Sequence, residues 1–151
     1  MTTRYVFDTT DTRRYRFPTH TNELIMDRVE ATTSEAFWVV LEPGEQPPLH
    51  VHHDTEQIFY MLRGAGTLQI GDKAPQRFPI KPGDLIRIPP HTFHRIRNDG
   101  PEPIVYLSLD CFVGGKPEAE PTWDSHVQTM CDKEGWDFNQ IRAPQHSAFQ
   151  P

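Results

Sequence analysis

Long continuous apolar runs are missing from this sequence. No stretch approaches the ~20 residues that span a bilayer. The opening MTTRYVFDTTDTRRYRFPTH has neither an apolar core nor a small-residue cleavage site, which argues against a secretory signal. Basic charge is also short. Fifteen Lys and Arg stand against 21 Asp and Glu, with no basic block, so neither nucleic acid nor an anionic membrane is an expected partner. Cysteine is scarce: Cys111 and Cys131 make no C-x-x-C spacing and read as two reduced thiols of a cytoplasmic protein. Fifteen prolines are scattered along the chain. Pro lacks the amide proton that a helix interior or a central strand needs, so long elements are excluded through the middle. At 151 residues a single domain covering 1–151 is expected, large enough to bury a core without covalent staples.

Short strands fill the remaining sequence. Residues 1–20 are polar with isolated aromatics and read as an irregular lead-in or an edge strand. Two strand-like stretches follow between Glu23 and Glu42, the second being Phe37-Trp38-Val39-Val40-Leu41, rich in aromatic and β-branched residues. Then come Gln57–Leu62, Ala65–Ile70, Arg77–Ile80, Leu85–Ile88, Phe93–Arg97 and Ile104–Phe112. Gly and Pro separate them at Arg63-Gly64, Gly71-Asp72, Pro82-Gly83-Asp84 and Asn98-Asp99-Gly100. That rhythm predicts an all-β antiparallel sandwich or barrel. The tail differs: a polar connector over Gly114–Pro121 leads to a short helix over Asp124–Glu134, with Asp124 or Ser125 as its N-cap. Trp123 and Trp136 flank it and are expected to dock it on the sandwich.

Five of the eight histidines lie between His50 and His94. His50 and His52 are two positions apart, so on an extended strand they point to one face about 6.6 Å apart. Two such imidazoles can converge on a metal at about 2.0–2.2 Å each. A distant stretch, Pro89-Pro90-His91-Thr92-Phe93-His94, offers a third.

These two segments resemble the two motifs of the cupin superfamily. GEQPPLHVHHDTEQIFYMLRG follows the first: glycine, five residues, H-x-H, a short gap, an acidic residue, six residues, glycine. GDLIRIPPHTFHRIRN follows the second, with Gly83, Pro89, His94 and Asn98 in register. The resemblance covers about 37–112, leaving 113–151 as a C-terminal extension. It implies a double-stranded β-helix, the jelly-roll barrel, with a metal inside. His91 stands where the second motif has glycine, either as a turn residue and hydrogen-bond donor behind a ligand or as a ligand itself. Seven positions before Gly64, where the first motif has its acidic ligand, stands Gln57. A one-residue slip would turn a strand side chain to the opposite face, so Gln57 is favoured as fourth ligand, with Glu56 as the alternative.

His50, His52, Gln57 and His94 would then hold one divalent transition metal, Fe(II) before Mn, Ni, Co or Zn. The set is similar to the His-His-Gln-His sites of some cupins, including sugar-acid ring-opening and bacilysin-pathway members, and departs from the Glu-bearing germins. An amide donor carries no charge, so the ion keeps its Lewis acidity and favours anionic oxygen ligands. With four protein donors, about two positions stay open. The expected function is a metal-dependent enzyme on a small oxygen-rich molecule, foremost an oxygenase of the dioxygenase type whose substrate chelates the metal. A non-redox isomerase, cyclase, dehydratase or lyase is the alternative, and a non-catalytic binding or sensing domain the third reading. Phe59 and Met61 share the parity of Gln57 and are expected to line the pocket. His91, Glu56 and Tyr60 are the candidate proton carriers, although Tyr60 has outward parity. A homodimer through edge strands is expected.

Overall fold

Strands with alternating buried and exposed positions build the chain. In the computed structural model, which describes residues 2–151, they are β1 (Asp11–Arg16), β2 (Thr21–Met26), β3 (Ser34–Leu41), β4 (Thr55–Arg63) and β5 (Gly66–Ile70). Further along come β6 (Gln76–Ile80), β7 (Leu85–Ile88), β8 (His94–Arg97), β9 (Ile104–Phe112) and β10 (Arg142–Ala148). The C-terminal helices are α1 (Trp123–Glu134) and α2 (Phe138–Ile141). A seven-stranded sheet in the order β10-β1-β2-β3-β9-β4-β7 faces a three-stranded sheet β6-β5-β8. Every strand pairing is antiparallel, the jelly-roll arrangement. No helix of the described residues is long and apolar enough to cross a membrane.

Residues of period two on the inner faces make the core. Phe37, Val39, Phe59, Met61, Ile104 and Tyr106 of the large sheet pack with Leu68, Ile80 and Ile96 of the small one. At the β4–β5 turn Gly64 has φ +75°, and a Cβ there would lie 2.3 Å from the carbonyl oxygen of Pro103. Backbone approach alone therefore requires glycine. The fully buried Asn98 ties β8 to its surroundings, since its amide nitrogen donates to the carbonyls of Leu41 at 2.8 Å and Glu102 at 2.7 Å. That is a physical use for the last residue of the second motif.

The termini differ from the sequence expectation. β10 pairs with β1, so the lead-in strand is not an edge. RAPQHSA has almost none of the β-branched and aromatic composition of a strand, and its extended form rests on that partner. α1 begins one residue earlier than expected and is capped by Thr122, whose side chain accepts from the Ser125 amide while Ser125 answers it. Of the two expected caps, Ser125 stands at N3 of this capping box and Asp124 instead bonds Arg142 and Tyr15. Trp123 lies 4.5 Å from Phe37, and Trp136 lies 5.5 Å from Phe17, between ring centres. Both tryptophans hold the helix across the open side of the sandwich.

Candidate metal centre

A two-residue backbone bridge creates the site. The His50 and His94 amides and carbonyls exchange hydrogen bonds at 3.3 and 2.9 Å, joining the segment before β4 to the start of β8. His50, His52 and His94 therefore meet, each offering a ring nitrogen within 4.8 Å of the others. Gln57 comes from β4, on the inner face, with its Oε1 2.7 Å from His94 Nε2.

Hydrogen bonds fix the protonation of two of the rings. His50 Nδ1 lies 2.7 Å from the Pro48 carbonyl, and His94 Nδ1 lies 2.9 Å from that of Thr92. A carbonyl only accepts, so each Nδ1 carries the proton. Burial keeps these rings neutral. It lowers the pKa of His94 to about 3, assisted by the charge of His50. It lowers that of His52 to about 2, assisted by His50, His94 and His126. His50 is also held below its ordinary value, mainly by burial. Neutral His94 thus turns an Nε2 lone pair toward Gln57. The Gln57 amide nitrogen donates to Asp110 Oδ1 at 2.7 Å, which turns the amide oxygen toward His94. Two acceptors at 2.7 Å repel each other unless a cation lies against both. The donor set fits a divalent metal on chemical grounds: three imidazole nitrogens and one amide oxygen, all lone pairs and all neutral.

Behind these donors runs a buried charged network. Asp110 stands beside Gln57 on one side and Glu35 on the other in the β4–β9–β3 register. Burial raises the pKa of Asp110, and burial with the Asp110 charge raises that of Glu35. Arg28 opposes both by binding Glu35 through two nitrogens, at 2.6 and 3.0 Å. Arg28 also donates to the Glu120 carbonyl at 2.8 Å. The Glu120 carboxylate, held below its ordinary pKa chiefly by its bond with His126, meets His126 Nδ1 at 2.9 Å.

The histidines open into a cavity of about 280 Å³, room for about nine groups the size of a water. Its walls are mainly apolar, with Phe37, Val39, Phe59 and Ile96 from the sheets and Trp123 and Met130 from α1. The same cavity is lined by His126 and, at the exposed end of α1, by Lys133. α1 forms its outer wall.

The sequence-based candidates divide sharply. His50, His52, His94 and Gln57 come together, and Phe59 lines the cavity. Met61 does not line it; fully buried, it belongs to the core beneath. The three candidate proton carriers lie outside the cavity lining. Glu56 takes the opposite face of β4 from Gln57 and pairs with Arg87 at 2.7 Å. Tyr60 is 44% exposed on that same outer face. His91 occupies an exposed turn at φ 62°, its ring against His53, so it does what the motif glycine does, with a conformation disfavoured by about 1–2 kcal/mol for a side-chain-bearing residue. Sequence reasoning missed Asp110, Tyr106, Glu120 and His126. Tyr106, Ser108 and Asp110 alternate with apolar residues on β9, a polar stripe at inward parity that was there to be read. Glu120 and His126 carry no comparable signal, because only the docking of α1 brings them to the cavity.

Comparison with known proteins agrees with this geometry. The Cupin domain family model matches residues 37–110. The chain is 36% identical over 62 residues to a glucose-6-phosphate isomerase of Thermococcus gammatolerans, covering 40% of this chain and 33% of that protein. It is 38% identical over 76 residues to acireductone dioxygenase 4 of Arabidopsis thaliana, covering 49% of this chain and 36% of that protein. Matches to the first curated relatives span from 33% to 52% of their own length. Among solved structures, the polyketide cyclase RemF of Streptomyces resistomycificus superposes with a TM-score of 0.62 at 22% identity, covering 78% of this chain and 83% of that one. Since the family match runs through both histidine segments and the jelly roll around them is complete, the chain belongs to the cupin family.

Proposed function

We propose that this chain is a metal-dependent cupin enzyme acting on a small oxygen-rich organic molecule, foremost an oxygenase of the dioxygenase type whose substrate chelates the metal. The observation that carries the reading is the confrontation of two acceptors, His94 Nε2 and Gln57 Oε1, at 2.7 Å inside a cluster of neutral imidazoles. His50, His52, His94 and Gln57 would hold the ion, Fe(II) before Mn, Ni, Co or Zn. Such an ion supplies Lewis acidity at open coordination positions and, as Fe(II), electrons for dioxygen.

The protein's own part follows from charge and solvent. Four neutral donors leave the cation's charge uncompensated, which favours a substrate with two adjacent anionic oxygens, such as a catecholate or an enolate. Apolar walls keep water from the substrate and strengthen each charge interaction inside. The Glu120–His126 pair holds a proton at the cavity wall: His126 Nδ1 faces the carboxylate, so its other nitrogen is free to exchange one with the substrate.

That pair also supports the second reading, a non-redox isomerase, cyclase, dehydratase or lyase, because proton transfer beside a Lewis acid needs no dioxygen. Likeness to a glucose-6-phosphate isomerase is compatible with it. The discriminating experiment measures turnover of a panel of catechols and enediols by Fe(II)- and Zn(II)-loaded protein, with an oxygen electrode and under nitrogen. The oxygenase reading expects oxygen uptake with Fe(II) alone. Turnover by the Zn(II) form under nitrogen selects the second reading, and binding without product selects a sensing domain. A homodimer belongs to the same proposal. Tyr60 and Leu85, on adjacent strands β4 and β7, leave apolar surface 44% and 70% exposed on the outer face, and a monomer in light scattering at micromolar concentration would refute it.

A further inference from the structure

Besides the metal-site histidines and His20, the cavity is lined by the polar groups of Asn22 and Tyr106. Tyr106 stands on the same face of β9 as Asp110, about 13 Å further along the strand. Register places Asn22, Val39 and Tyr106 in one row across β2, β3 and β9. Adjacent strands lie about 4.8 Å apart, so only Val39 separates the amide from the phenol. Both residues are 4% exposed and both line the cavity. The Asn22 side-chain oxygen is buried with no hydrogen-bond partner among the described residues, and the Tyr106 phenol stands in the same row. A buried polar group left without a partner destabilises the fold by about 1–3 kcal/mol, so the Asn22 oxygen calls for a ligand to explain it.

Between the two polar ends the cavity is apolar. Phe37 and Phe59 flank Ser108 directly across their strands, in the row between Tyr106 and Asp110. Among the lining residues the permanent cations are Arg95 and Lys133. Arg95 donates to Gln69 at 3.1 Å, and Lys133 belongs to the exposed end of α1. Neither stands in the Asn22–Tyr106 row, so that end offers nothing to neutralise a phosphate or a carboxylate.

We infer that Asn22 and Tyr106 form a second polar subsite, which takes a neutral hydroxyl or carbonyl oxygen at the far end of an elongated, apolar-bodied substrate. This rests on the proposed metal centre, which holds the other end through two adjacent oxygens. The substrate class is thereby a planar, hydroxylated aromatic or conjugated compound whose distal oxygen lies apart from its chelating pair, and not a sugar phosphate. Burial, and behind it the Asp110 charge, hold the Tyr106 phenol above its ordinary pKa, so it stays a donor at every working pH. The Asn22 amide can donate or accept.

The test uses the Zn(II)-loaded full chain, which is redox-inert, and three probes in calorimetric titrations: catechol, 4-phenylcatechol and 4-(4-hydroxyphenyl)catechol. The hydroxylated biphenyl is expected to bind about tenfold more tightly than 4-phenylcatechol. Tyr106→Phe is expected to abolish that preference while changing the affinity for 4-phenylcatechol by no more than about twofold. Asn22→Val, a residue suited to a strand, reports from the other side of the row and should reduce the preference as well. Equal affinities in the unsubstituted protein overturn the subsite, and so does a preference that survives both substitutions. If catechol itself fails to bind the Zn(II) form, the metal reading falls and takes the subsite with it. Catechol binding without preference removes the subsite alone.

Discussion

Asp110→Asn separates the metal site from the fold in a single substitution. Gln57 can present either end of its amide to the histidines, and Asp110 decides which. As a carboxylate it only accepts, so it holds the Gln57 nitrogen at 2.7 Å and sends the oxygen forward. An asparagine at 110 can also donate, which lets the Gln57 oxygen turn back and brings its nitrogen, a useless ligand, to the front. Loss of such an orienting partner weakens metal binding about 10- to 100-fold, or about 1.4–2.7 kcal/mol. The metal-free protein should respond in the opposite sense. Asp110 is buried and faces Glu35 across β3 and β9, so removing its charge relieves repulsion and leaves stability unchanged or raised. Competition for Zn(II) against a chromophoric chelator measures the first effect, and thermal unfolding of the metal-free protein the second. Affinity within about threefold of the parent protein would refute the orientation argument, as would a fall in both quantities together, which is what plain misfolding gives.

Three further outcomes follow from the buried charges. His20 is fully buried, and desolvation, with smaller effects from His50 and Arg16, lowers its pKa from 6.5 to about 3. Neutral when folded and protonated when unfolded, it makes stability fall by about 1.4 kcal/mol per pH unit as pH drops from 6.5 toward 3. His20→Gln should remove that increment from the pH slope measured by denaturant unfolding between pH 7 and 5, and an unaltered slope would refute it. Glu35→Ala leaves the Arg28 guanidinium, 2% exposed, without its bidentate partner, at a cost of about 3–5 kcal/mol; a loss below about 1 kcal/mol would mean that the Glu120 carbonyl suffices. Glu120→Gln should lower kcat about 100-fold and shift the pH–rate profile while leaving metal content and catechol affinity unchanged. A full rate would exclude the His126 pair from proton transfer.

Gly and Pro turn signals, with the apolar runs between them, mark most of the inner barrel in the sequence. The strands expected at Leu85–Ile88 and Ile104–Phe112 form with those bounds, because turn residues punctuate them on both sides. Parity on β4 likewise puts Gln57 and Glu56 on opposite faces, since neighbouring residues on a strand face opposite ways, while leaving Glu56 as the alternative ligand. Tertiary contacts are what the pattern could not carry. β10 forms only because β1 offers a partner, and α1 crosses the cavity only because Trp123 and Trp136 find Phe37 and Phe17. The cavity wall that bears His126 was therefore illegible. The chemistry and sequence proximity of His91, Glu56 and Tyr60 suit proton carriers, but each faces solvent or an outer-face partner.

X-ray absorption of the Co(II)-substituted chain, prepared without chelator, tests the metal centre most directly. One ion per chain with three imidazole scatterers at about 2.0–2.2 Å and a further oxygen that Gln57→Leu removes is the predicted result. A substoichiometric ion, or a spectrum unaltered when His50, His52 and His94 are all replaced by alanine, would contradict it.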